Sequence, residues 1–155
     1  MQEFLQPKGS IEIIVQHKDG TTTMYVNNTV LQAGREALAA SLSHAFGSNY
    51  EFYIDTMVFG TGGVDGNNIK KSIDASRNSL WNEAKEKPVS AIVDTVRPHE
   101  AIFTSVLPFD DGGDLEISEM GLRMANGDLY SMATFPNITK TDSIQITWNW
   151  RVSFV

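Results

Sequence analysis

The chain has 155 residues, 41% of them hydrophobic and 20% charged, which excludes a disordered chain and fits one globular unit with a sizeable core. Twelve basic residues face nineteen acidic ones, and a net charge of −7 with no basic stripe argues against direct contact with nucleic acid. The lack of cysteine excludes disulfides, thiolate metal sites and cysteine nucleophiles. No apolar run approaches the roughly 20 residues of a membrane helix. The start lacks the basic region and apolar stretch of a secretory signal. The expected setting is the cytosol, without a membrane partner.

Met1–Gly9, with Pro7 and Gly9 and no periodicity, reads as an N-terminal arm. Its apolar residues Phe4 and Leu5 are candidate contacts with a neighbouring subunit. Residues 10–155 read as one domain. Ser10–His17 predicts a strand, Asp19-Gly20 a type I′ hairpin turn, and Thr22–Val26 the returning strand. Asn27, Asn28 and Thr29 are helix-capping types, and Leu31, Leu38, Leu42 and Ala45 follow at helical spacing, so a helix is expected near 30–46 with Gly47 as its stop. Gly34 interrupts that pattern: either the regular helix starts there, or a backbone comes close.

Glu51–Phe59 alternates with large apolar groups on both faces, which predicts a strand covered on both sides. It leads into the glycine-rich loop Gly60–Asn68. Residues Ile69–Ala84 are weakly patterned, with room for a helical turn at Ser79–Ala84. From Pro88 onward strands dominate: Val89–Val96, Glu100–Leu107, Leu115–Met124, and Leu129–Phe135 across an Asn126-Gly127 hairpin. Thr139–Asp142 reads as the last connection. In the terminal strand Ile144, Ile146, Trp148, Trp150, Val152 and Phe154 alternate with polar residues, the signature of a half-buried strand with Trp148 and Trp150 as core anchors. About seven or eight strands with short turns and one amphipathic helix predict a mostly β fold, an antiparallel β-sandwich with a packed helix.

Chemistry is sparse. His17, His44 and His99 lie in different elements without metal-ligand spacing. Gly60–Gly66 lacks the Gly-Lys-Ser/Thr ending of a phosphate loop. Asp110, Asp111, Asp114 and Glu116 form the densest acidic cluster, a turn that could hold a cation but lacks an EF-hand pattern. Glu119 reads as a strand-edge or turn carboxylate. No catalytic residue, cofactor or metal site is expected. Because a glycine run orders only when something holds it, Gly60, Thr61, Gly62, Gly63, Asp65 and Gly66 are expected at a subunit contact.

Several segments in order resemble the virion-proximal domain of tailed-bacteriophage tail-collar and tail-fibre proteins. They are Thr29–Gly34-Arg35, Val58–Gly63, Glu119-Met120-Gly121-Leu122, Asn126-Gly127, Phe135-Pro136…Lys140 and Ile144–Phe154, spanning 27–155. The resemblance implies a non-enzymatic virion structural protein, assembled in the host cytoplasm and contacting other virion proteins. It also implies a homo-oligomer, with a trimer favoured. The Ser10–Val26 hairpin is additional, and no fibre shaft follows Val155. The expectation is therefore a stand-alone adaptor of tail, collar or baseplate. A capsid decoration protein is the second reading, and a ligand-binding or hydrolytic β domain the third.

Overall fold

The computed structural model describes residues 7–43, 51–111 and 113–154. Two five-stranded antiparallel sheets face each other. The strands are β1 (Pro7–His17), β2 (Gly20–Asn27), β3 (Thr29–Val30), β4 (Ile54–Gly60), β5 (Glu83–Pro88), β6 (Ser90–Val93), β7 (Glu100–Leu107), β8 (Leu115–Met124), β9 (Leu129–Lys140) and β10 (Gln145–Phe154), with helix α1 at Gln32–Ser43. Sheet A runs β2-β1-β10-β7-β6 and sheet B runs β3-β9-β8-β4-β5. The mostly β class, the sandwich and the helix agree with the sequence reading; among the described residues the strands number ten rather than seven or eight.

β10 lies at the centre of sheet A, and its apolar face points inward: Trp148 and Trp150 are fully buried. Trp148 meets Phe59 at 4.9 Å and Phe135 at 5.9 Å between ring centroids, so it joins the two sheets. Ile11, Ile13 and Val15 of β1 and Met120, Leu122 and Met124 of β8 complete the same core.

Several sequence expectations change here. β1 starts three residues early, so Pro7–Gly9 pair with β10, while Phe4 and Leu5 lie outside the described residues. Both hairpins form, but positive φ falls on Gly20 and Gly127 rather than on Asp19 or Asn126. Each glycine therefore follows its turn, and the positive φ falls on this one residue rather than on the two that a type I′ turn requires. Thr29 belongs to β3, not to a helix cap. The N–H of Gln32 instead donates to the carbonyl of Ala75 at 2.7 Å. Leu42 is 87% exposed, and the helix packs through Gly34, Ala37 and Leu38, whereas Ala45 and Gly47 lie outside the described residues. Residues 79–82 form bends, not a helical turn, and lead into β5. β9 continues through Phe135-Pro136 to Lys140, because the irregular pairing opposite Ile117–Glu119 places exposed Pro136 where the ladder is interrupted.

The two apolar faces of β4 have a local cause. The pairing with β8 shifts between Ile54 and Thr56, leaving Asp55 as an extra residue. Ile54 ahead of the bulge and Met57 and Phe59 behind it all turn to the main core, while Val58 faces a second cluster with Leu31, Leu80, Leu129 and Met132. That cluster sits on the other side of sheet B, under the connection between β4 and β5.

Gly34 resolves as a close approach. A Cβ there would lie 2.4 Å from the backbone oxygen of Tyr130. On an open helix, Gly→Ala stabilises by about 1 kcal/mol. Here we expect Gly34→Ala to lower stability by roughly 1–3 kcal/mol through forced separation of α1 from β9. The sign of the shift in the urea midpoint checks this.

Candidate functional site

The glycine-rich loop after β4 closes around one side chain. Glu119 is fully buried in β8. One carboxyl oxygen, Oε1, accepts the backbone N–H of Gly62 at 3.0 Å and of Asn82 at 2.7 Å; the other, Oε2, accepts that of Trp81 at 2.9 Å. Beside it, Ser118 Oγ accepts the N–H of Gly63 at 2.9 Å. The glycines are required by space: a Cβ on Gly60 would lie 2.5 Å from the Asn82 carbonyl, and one on Gly63 would lie 2.1 Å from that of Ser118. The Lys71 ammonium donates to the Gly62 carbonyl at 2.8 Å and lies 5.1 Å from the Trp81 ring, whose face is also covered by Arg77 at 3.7 Å. Thus both ends of the β4–β5 connection are tied to β8 by one carboxyl group.

The outer turn of this loop is also held from within. Asp65 Oδ1 accepts the N–H groups of Asn67 and Ile69, and Val64 bridges to Lys70. Asn68, at φ 59°, accepts the N–H of Asn137 at 2.8 Å. The premise that a neighbour must order this loop is therefore corrected: Glu119, Ser118 and Asp65 of the same chain do so. Gly60 and Gly63 are buried, Thr61 and Gly62 half-buried, and Asp65 and Gly66 exposed.

The acidic turn supplies its own cations. Asp111 forms ion pairs with both Lys85 and Lys87 of β5. The hydrogen bonds from Lys85 and Lys87 hold the Asp111 carboxyl below its ordinary pKa of 3.8. Lys140 is fully buried behind this turn, and its ammonium donates to the carbonyls of Phe109 and Thr141. Burial pushes its pKa down from 10.5. Among the described residues, no group of three or more His, Asp or Glu side chains is placed to hold a metal ion. Since the folded Asp111 pKa is depressed, its stabilisation is present above pH 3.8 and is lost as pH falls further, through the folded value. For half-exposed pairs this is worth at most about 1 kcal/mol. We expect Asp111→Asn to be slightly less stable than the parent at pH 7 and level with it near pH 2, measured by urea midpoints.

The outer face of sheet A differs from that of sheet B in being open. Cross-strand register places Tyr25, Glu12, Asn149, Thr104 and Ser90 in one row across all five strands. Thr104 donates to Asn149 Oδ1 at 2.9 Å, and Asn149 donates to Glu12 at 3.1 Å. The flanking rows carry Thr23, Ile14, Thr147 and Val106 on one side and Asn27, Ser10, Arg151, Ile102 and Ile92 on the other. Only Glu12 and Arg151 in these rows are charged, and Arg151 is paired with Glu100 and Asp94. Tyr25 is 74% and Ile92 63% exposed.

The sequence motifs that looked unrelated thus meet in space: Val58–Gly63 closes on Glu119-Met120-Gly121-Leu122, and Gly34 docks on β9. A family model, the phage tail-collar fibre protein N-terminal domain, matches residues 24–150. The chain belongs to this family. It is a virion component with a structural role in the phage tail. No curated protein and no solved structure matches the chain. Within this tail-collar fibre domain, sequence reasoning missed Glu119, Trp81 and Asn82. Glu119 is no strand-edge carboxylate; its one visible signal was its place in the Glu-x-Gly-Leu motif. The match leaves most of the Ser10–Val26 hairpin outside, and that hairpin forms β1 and β2 of sheet A.

Proposed function

We propose that the chain is an adaptor of the phage tail, collar or baseplate, joining other virion proteins without catalysis and without touching nucleic acid. The observation that carries this reading is the open outer face of sheet A. A broad sheet surface rich in Thr, Asn, Gln, Tyr and aliphatic residues, whose central rows carry only Glu12, hydrogen-bonded by Asn149, and Arg151, ion-paired within the chain, has the charge-depleted composition of a protein contact. Thr104, Asn149 and Glu12 already bond to one another across three strands, which lowers the cost of covering them. The exposed turn at Asp65 and Gly66, and Phe4 and Leu5 outside the described residues, are secondary contact candidates. We further propose one domain over 10–155 and a homo-oligomer, with a trimer favoured because cyclic closure protects open sheet edges.

Locating the chain in a particle reconstruction tests the placement. Density on the tail, collar or baseplate, with the sheet A face against another protein, is the expected result. Density on capsid capsomers would establish the decoration reading instead. Sedimentation that stays monomeric at high concentration, with no rotational copies in contact on the particle, would remove the oligomer.

A further inference from the structure

β6 is an edge strand of sheet A, as is β2, and it is the one of the two that borders an apolar cleft. The N–H of Asp94 donates to the Glu100 carbonyl at 3.0 Å, which fixes the pairing phase between β6 and β7. In that phase Ser90 and Ile92 direct their backbone groups to β7, while Ala91 and Val93 direct theirs away from the sheet. The preceding group on that side, the N–H of Val89, is taken by the carbonyl of Asp55 at 3.1 Å. An open backbone ladder therefore begins just past Val89. The edges of sheet B are blunted: β3 has two residues, and β5 carries Lys85, Glu86, Lys87 and Pro88. β6 reads Ser-Ala-Ile-Val, with Ile92 and Val93 63% and 61% exposed.

Behind this edge lies a cleft of about 430 Å³, lined among others by Ala91, Phe103, Phe154, Leu38, Phe52 and Tyr130, with no charged residue in its wall among the described residues. Tyr130 is 4% exposed, and its hydroxyl, itself buried, has no hydrogen-bond partner among the described residues. An apolar cleft beside an unpaired strand suits an incoming extended backbone that carries an apolar side chain. Asp55 stands at the Val89 end of the open ladder and Asp94, which also meets Arg151 at 3.7 Å, at its Val93 end, so an acidic side chain lies at each side.

We propose that β6 receives an added strand: a short extended segment of another virion protein, uncharged and β-branched in the middle with a lysine or arginine at each end. It pairs with Ala91 and Val93 and places an apolar side chain in the cleft. The net charge of −7 favours such a basic-ended segment and opposes a second copy of this chain. That the donor is a virion protein rests on the adaptor reading; the strand addition does not.

The test uses a capped peptide, Lys-Thr-Val-Thr-Val-Lys, and its twin with glutamate at both ends, against the full chain. Saturating lysine-ended peptide is expected to slow amide exchange at Ala91 and Val93 at least about tenfold and to bind about tenfold more tightly than the twin. Val93→Pro, tolerated on an edge because the lost N–H points outward, should keep the urea midpoint and abolish binding. Unchanged exchange with both peptides at millimolar concentration, or equal binding to Val93→Pro, overturns the proposal. So does protection of Ala91 and Val93 without peptide in a dimer that Val93→Pro dissolves, which would make the occupant a second copy. A tail location with no peptide binding sinks the strand addition alone; binding by a chain found on the capsid sinks the adaptor reading alone.

Discussion

Replacing Glu119 with alanine is expected to lower stability by roughly 3–5 kcal/mol, because three N–H groups lose their acceptor inside a packed knot. Each buried donor left unpaired costs about 1–3 kcal/mol, and relaxation with water entry recovers part of the sum. Glu119→Gln separates the hydrogen bonds from mere filling of space. Its amide oxygen can still accept from Gly62 and Asn82, but its NH2 then faces the Trp81 donor, so a loss of about 1–3 kcal/mol is expected. Urea midpoints give the energies, and amide exchange at Gly62, Trp81 and Asn82 shows where the loss occurs. An alanine variant with the parent midpoint and unchanged exchange would show that the loop holds itself without the carboxyl group.

Trp148→Ala is expected to cost about 3–5 kcal/mol, the usual range for emptying a large aromatic site. The ring is fully buried and touches both Phe59 and Phe135, so its removal opens the seam between the sheets. Thr147→Ala, one position away on the open face, should change stability by no more than about 0.5 kcal/mol. Trp148→Phe should cost much less than alanine: the indole N–H has no partner to lose among the described residues. Equal midpoints for the Trp148 and Thr147 alanine variants would refute the face assignment of β10. A loss of assembly at unchanged stability would instead place the tryptophan at a subunit contact.

Period and chemistry in the sequence were enough for the elements that repeat. Strict alternation over Ile144–Phe154 can bury its large groups only as a strand, since a one-residue slip would expose the tryptophans and bury Arg151. The hairpin glycines, the helix after Thr29 and the charge-poor terminal strand were legible for similar local reasons. Sequence by itself therefore determined a mostly β sandwich and a helix near residue 30.

Tertiary structure decided everything that depends on meetings across long stretches of chain. β5 carries alternating charge rather than apolar residues, so it shows no core pattern; β4 and the acidic turn give it its place. The bulge at Asp55 reverses the phase of β4, which no alternation count could locate. Glu119 and Gly62 are 57 residues apart, and a buried acid looks like any other acid until the loop that uses it is folded over it. Which sheet face is covered was likewise settled in three dimensions. The β4–β5 connection folds over the outer side of sheet B because Leu80, Ile73 and Trp81 find Val58, Leu129 and Met132 there, while sheet A keeps its neutral outer face open.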